Sequence, residues 1–70
     1  MTNNEQALLA QMQNMRYSHG LCITALQILS QSKQAVSEML AYIYDEQPTE
    51  QAFIAEIARI CDANGLSPQL

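Results

Sequence analysis

The stretch RYSHGLCIT, residues 16–24, decides how this chain is read. It sets Ser18, His19 and Gly20 in a row and adds Cys22, inside an otherwise helical pattern of apolar residues. Three readings are open. The stretch is a turn dividing the chain into three helices, a metal or catalytic site built on His19 and Cys22, or an ordinary piece of one long helix.

The residues on either side favour the last. Leu8, Met12, Met15, His19, Cys22, Leu26, Leu29, Lys33, Val36, Leu40 and Ile43 are separated alternately by four and three, the a/d spacing of packed helices. A turn at Ser18–Gly20 would ordinarily reset that phase. Gly20 falls at a b position, on the polar side with Gln13, Gln27 and Gln34. There it costs about 1 kcal/mol relative to Ala. The spacing predicts one helix from about residue 4 to 45. Its rival is a break at Ser18–Gly20 that gives a three-helix bundle.

Asp45-Glu46-Gln47-Pro48-Thr49 ends the long helix, because Pro48 disfavours helical geometry at the residue before it. Thr49 is a good N-cap, with Glu50 in the first turn of a second helix from about 50 to 63. Asn64-Gly65 supplies a left-handed C-terminal cap, and Leu66 can fold back toward Cys61. Residues 67–70 read as a flexible tail. The expected fold class is all-α: a single helical-hairpin domain over residues 1–66 that assembles into a dimeric helical bundle.

Seventy residues allow one domain. A core of this size rarely supplies more than about 3–5 kcal/mol unless a disulfide, a metal or a partner chain staples it. Two cysteines, Cys22 and Cys61, make no disulfide framework and read as reduced thiols. The start MTNNEQ lacks the basic region of a signal peptide. The most apolar run, LCITALQIL, is too short to span a bilayer. A soluble cytoplasmic protein is expected. The net charge is −4, from three basic and seven acidic residues. Arg16, Lys33 and Arg59 are too few and too scattered to neutralise a phosphate backbone, which argues against nucleic-acid binding.

The second helix is amphipathic. Phe53, Ile54, Ile57, Ile60 and Cys61 share one face and would form the hairpin core with Val36, Leu40 and Ile43. At about 1.5 Å per residue it covers only the last third of a long first helix, roughly residues 32–46. Leu8, Leu9, Met12, Met15, His19, Cys22, Ile23, Leu26 and Leu29 would then lack cover within the chain. A patch of that kind marks an interface. A homo-oligomer is expected, most economically an antiparallel two-fold dimer.

His19 and Cys22 stand at i and i+3, a spacing that can chelate zinc. A zinc site needs three or four ligands, and Cys61 could reach this pair only from another subunit. A Cys–His nucleophile pair lacks an orienting acid nearby. The plainer reading makes Cys22 a small core residue and His19 a polar residue at an a position. Lys33, the other polar a residue, either fixes register or snorkels to the helix edge. Met12, Met15 and Met39 sit at spacings that suit the core better than an adaptable surface. Asp45, Glu46 and Glu50 gather around the loop, where they are a solvated turn or the mate of a basic partner. Tyr17, Tyr42 and Tyr44 suit interfaces. Nothing matches a phosphate-binding loop, a metalloprotease helix or a calcium loop.

These readings point to a non-enzymatic helical interaction module that needs no cofactor. It would self-associate and bind a protein partner, as an adaptor, chaperone or small regulator or inhibitor does. The alternative is a small-ligand or metal-binding bundle with an intersubunit site near His19 and Cys22.

Overall fold

A computed structural model describes residues 1–67 and contains four helices: α1 (Asn3–Asn14), α2 (His19–Leu29), α3 (Lys33–Glu46) and α4 (Glu50–Ala63). The all-α class holds, and α4 covers the stretch expected from about 50 to 63. The single long helix from 4 to 45 is corrected to three, and the hairpin to a four-helix fold. The tail expected from residue 67 lies, from residue 68 on, outside the described residues.

The reason lies in the helix ends. Each helix begins at a Thr or Ser whose hydroxyl accepts from the amide three residues on: Thr2 from Glu5, Ser18 from Leu21, Ser32 from Ala35 and Thr49 from Ala52. Such a cap satisfies one of the amides that a helix start leaves without a partner. Thr2 makes the reciprocal box as well, since the Glu5 carboxylate accepts from its backbone N–H at 2.9 Å.

The C-terminal ends are equally well closed. After α1, Arg16 takes a left-handed φ of 63°. Its N–H donates to the Gln13 carbonyl at 3.0 Å, and the Tyr17 N–H donates to Met12 at 3.2 Å. This is a Schellman end with Arg where Gly is usual. The left-handed conformation costs an L-residue about 1–2 kcal/mol. After α3, Gln47 is left-handed (φ 45°, ψ 58°) ahead of Pro48. After α4, Gly65 is left-handed at φ 66°, and Leu66 donates to the Cys61 carbonyl at 2.8 Å, as the sequence led one to expect.

Contacts between the ends set the topology. Tyr17 and Ser18 bond to Pro48 and Glu50, so the α1–α2 turn sits beside the α3–α4 loop. At the opposite end Asn4 meets Ser37, and Gln31 meets Ser67. Successive helices therefore run up, down, up, down. Among the described residues α1 and α4 do not touch; α1 packs on α2 and α3, and α4 on α3 and α2. The molecule measures 28 × 25 × 23 Å.

One apolar core runs through all four helices, with Leu8 and Met12 of α1, Cys22 and Leu29 of α2, Met39 and Ile43 of α3, and Phe53 and Ile60 of α4 fully enclosed. Among the described residues none that is polar or charged is buried there. The premise that the N-terminal seam lacks cover within the chain is thereby corrected. Leu8, Met12, Cys22 and Leu29 are buried by their own chain, while Leu9, Met15 and Leu26 are partly buried against the core. His19 and Ile23 are exposed. Of the expected hairpin core, Val36, Ile43, Phe53, Ile57, Ile60 and Cys61 are buried and Leu40 is half-buried. Ile54 is the correction, at 51% exposure. With α2 beside it, α4 turns its Phe53 and Ile57 edge inward and leaves Ile54 outside. Among the described residues no helix is long and apolar enough to cross a membrane.

Candidate functional site

His19 and Cys22 are not presented together. His19 is the first residue of α2 and lies in solvent, whereas Cys22 points into the core, its thiol 3.8 Å from the Tyr17 carbonyl. Burial pushes the Cys22 thiol up from its ordinary value, and the Glu50 carboxylate adds to that. Burial pushes Cys61 up as well. Thiols shifted this way hold their protons and are poor nucleophiles and poor metal ligands. Among the described residues no three of the His, Cys, Asp and Glu side chains gather closely enough to hold a metal ion.

Of the two readings of Lys33 the register pin fails, and Tyr17 lies in the core. Lys33 is the first residue of α3 and sits in solvent, where it cannot set the register of a helical seam. Tyr17 is buried. Its ring packs tilted on Phe53 with centroids 4.9 Å apart, and its hydroxyl donates to the Pro48 carbonyl at 2.5 Å. Next to it the Ser18 N–H donates to the Glu50 carboxylate at 2.7 Å. Glu50 therefore belongs to the joint between two loops. Met12 and Met39 are core residues, and Met15 is half-buried.

Two concave surfaces among the described residues bear on function. The first, of about 370 Å³, lies where α1 and α3 both begin, lined by Thr2, Asn3, Asn4, Glu5, Ser30, Lys33 and Val36. Two of its polar residues, Thr2 and Glu5, are taken up in capping α1. Glu5 serves Thr2, and the Thr2 backbone and hydroxyl hold its carboxyl below the usual carboxylate value.

The second is an open groove of about 590 Å³ between α3 and α4. Glu38, Ala41, Tyr42, Asp45 and Glu46 line it from α3, and Glu56 and Arg59 from α4. The acids of α3 recur at a helical spacing, so Glu38, Tyr42 and Asp45 share the edge that faces α4. Arg59 is already engaged. Its Nε donates to Glu56 Oε1 at 2.9 Å, and its Nη2 pairs with Glu56 Oε2. That pairing, with its accompanying charge attraction, holds the guanidinium further above its ordinary value. Glu38 also accepts from the Asn64 amide at 3.3 Å. The groove thus sets Ala41 and Tyr42 among four carboxylates, with one guanidinium tied to one of them.

The loop acids singled out in the sequence divide between two places. Asp45 and Glu46 join the groove, and Glu50 leaves for the joint. Neither Glu38 nor Glu56 was read from the sequence as part of a binding surface. The spacing of seven from Glu38 to Asp45 was the available signal for the first. No known protein family, curated protein or solved structure matches this chain.

Proposed function

We propose that the chain is a non-enzymatic helical interaction module, one that self-associates and binds a protein partner as an adaptor, chaperone or small regulator does. The α3–α4 groove is the observation that carries the partner-binding part. Four carboxylates set among Ala41 and the Tyr42 ring, facing a guanidinium that is already paired, complement a basic segment carrying one or two apolar side chains. The exposed Ile23, Tyr44 and Ile54 add apolar surface on α2, α3 and α4 that a second chain could cover. Neither α3 nor α4 must move to receive such a ligand, because both are fixed by the core.

The test is affinity purification from the native host with two baits, the parent chain and Asp45→Lys/Glu46→Lys. Both substituted residues are exposed, so the fold survives the change. A partner held by the parent at low salt, weakened at high salt and lost with the variant supports the reading. Partners retained equally by both baits would place the interaction elsewhere on the molecule.

A further inference from the structure

The turn between α2 and α3 differs from the other two connections. Ser30-Gln31-Ser32 contains neither Gly nor Pro. Ser30 keeps helical dihedrals (φ −68°, ψ −6°), and no residue of the turn has a positive φ. Hydrogen bonding is continuous through it. Ser30 donates to Leu26, Gln31 to Ile28 and Ser32 to Leu29, so the last two bonds are only one residue tighter than in an α-helix. Ser32 leaves the helical region, at φ −146° and ψ 125°. Side-chain bonds hold this turn, Gln31 on Ile28 and Ser67 and Ser32 on Ala35, whereas backbone conformation fixes the other two. Arg16 is left-handed and Tyr17 is anchored on Pro48, while Gln47 is left-handed and Pro48 bars helix continuation.

The side chains are in phase across this turn. Cys22 and Leu29 of α2 and Val36 and Ile43 of α3 follow one another at intervals of seven, and all four are buried. If α2 ran straight into α3, they would lie along one stripe of one helix, drifting about 20° per heptad. The contacts that join the α1–α2 half to the α3–α4 half include Asn4 to Ser37, Tyr17 to Pro48 and Ser18 to Glu50. Any surface complementary to one half already exists on the other.

We propose that a second copy of this chain completes the bundle by exchange at Ser30–Ser32. In the exchanged dimer α2, the turn and α3 form one helix from His19 to Glu46, and each α1–α2 half packs on the α3–α4 half of its partner. The side-chain core is conserved. The Ser32 cap on Ala35 is given up, and the first amides of α3 gain the last carbonyls of α2 as partners. Exchange of an identical element between two copies is a low-cost route to a dimer. This inference rests on the self-association proposed above and names its route.

The experiment uses the contact between Asn4 and Ser37, whose side chains meet at 3.4 Å across the two halves. The double variant Asn4→Cys/Ser37→Cys is oxidised at low and at high concentration, then run on a denaturing gel without reductant beside sedimentation of the same samples. A cross-linked species of twice the chain mass, growing with concentration, is the expected result. A sample that sediments as a dimer while its bridges stay within single chains overturns the exchange and keeps self-association. A sample that stays monomeric at every concentration overturns both. Two single variants check the hinge directly. Lys33→Pro suits the first position of α3, and Ser32 before it already has the extended backbone that Pro demands, but Pro forbids the continuous helix. It should fold and lose the dimer. Ser32→Ala removes the cap that holds the turn and should raise the dimer fraction. A dimer fraction that is the same in both variants and the parent is a further overturning result.

Discussion

Tyr17→Phe isolates one hydrogen bond. The substitution keeps the ring that packs on Phe53 and deletes only the hydroxyl that donates to the Pro48 carbonyl. Tyr17 and Pro48 are both buried, so that carbonyl has no ready access to water in the variant. A buried acceptor left unpaired costs about 1–3 kcal/mol. The variant also avoids desolvating the phenol itself, which places the net loss near the lower end, at about 1–2 kcal/mol. With a urea m-value of about 1 kcal/mol/M for a small domain, the midpoint should fall by about 1–2 M with unchanged slope. Tyr44→Phe is the control, because Tyr44 is 56% exposed and should leave the midpoint where it was. If Tyr17→Phe unfolds at the parent's midpoint, the two loops are not joined as described, and the up-down order of the helices loses its main tie at that end.

The same residue has a signature in base. Burial raises the Tyr17 phenol above its ordinary value, and Tyr42, Glu50 and Cys22 add to the shift. An acid whose folded value lies above its unfolded one contributes stability that is complete below the unfolded value, about pH 10 for a tyrosine. That contribution is lost as pH climbs through the folded value. Tyr17→Phe should therefore flatten the decline of stability above about pH 10 while lowering stability at neutral pH.

Other outcomes follow from the helix ends and the thiols. Gly65→Ala places a Cβ at φ 66° and should cost about 1–2 kcal/mol, read as a lower Tm. Gly20→Ala, in helical backbone with open space around the new Cβ, should be neutral or stabilise by up to about 1 kcal/mol. A large loss at Gly20 would show that α2 does not begin at His19. Ser18→Ala removes the cap of α2 and should cost about 0.5–2 kcal/mol in a urea titration. Cys22 and Cys61 are buried with raised thiol values, so a thiol reagent at pH 8 should react slowly with the native chain and at once in denaturant. Fast labelling of the native chain would contradict the packing of α2 and α4.

The elements of the fold were legible in proportion to how conventionally they are marked. Helix α4 carries Pro48 and Thr49 before it and Asn64-Gly65 after it, and its bounds and Schellman end follow from those residues. The end of α1 is made by Arg16, a residue with no preference for the left-handed region, so nothing in its type announces the turn. Gly20, which invites a break, lies harmlessly in the first turn of α2. The 4-3 spacing persists across both turns because one core is filled from every helix, so residues a heptad apart are buried whether or not the backbone runs straight. The two polar residues in the seam held the correction. His19 and Lys33 are the first residues of α2 and α3, each preceded by a serine cap, and both stand in water. A polar residue at an a position directly after Ser marks a helix start at least as well as it marks a register pin.

The candidate groove was legible only by halves. Asp45 and Glu46 stand out beside the loop, but Glu56 stands on another helix and reaches them through the antiparallel register of α3 and α4. That register comes from the apolar faces, with Met39 and Ile43 enclosed on one helix and Phe53, Ile57 and Ile60 on the other. Glu38 adds one bond across the pair, from Asn64, and the other groove acids are left where the packing puts them. Arg16 lies in the α1–α2 turn and Lys33 at the start of α3, so neither lines the groove, and Arg59 is spent on Glu56. The excess of acid over base in the whole chain is thereby concentrated on one side. A field of that sign attracts basic segments and repels acidic ones before any contact forms. Packing rather than ion pairing holds the chain together, so its few charges are free to set that field.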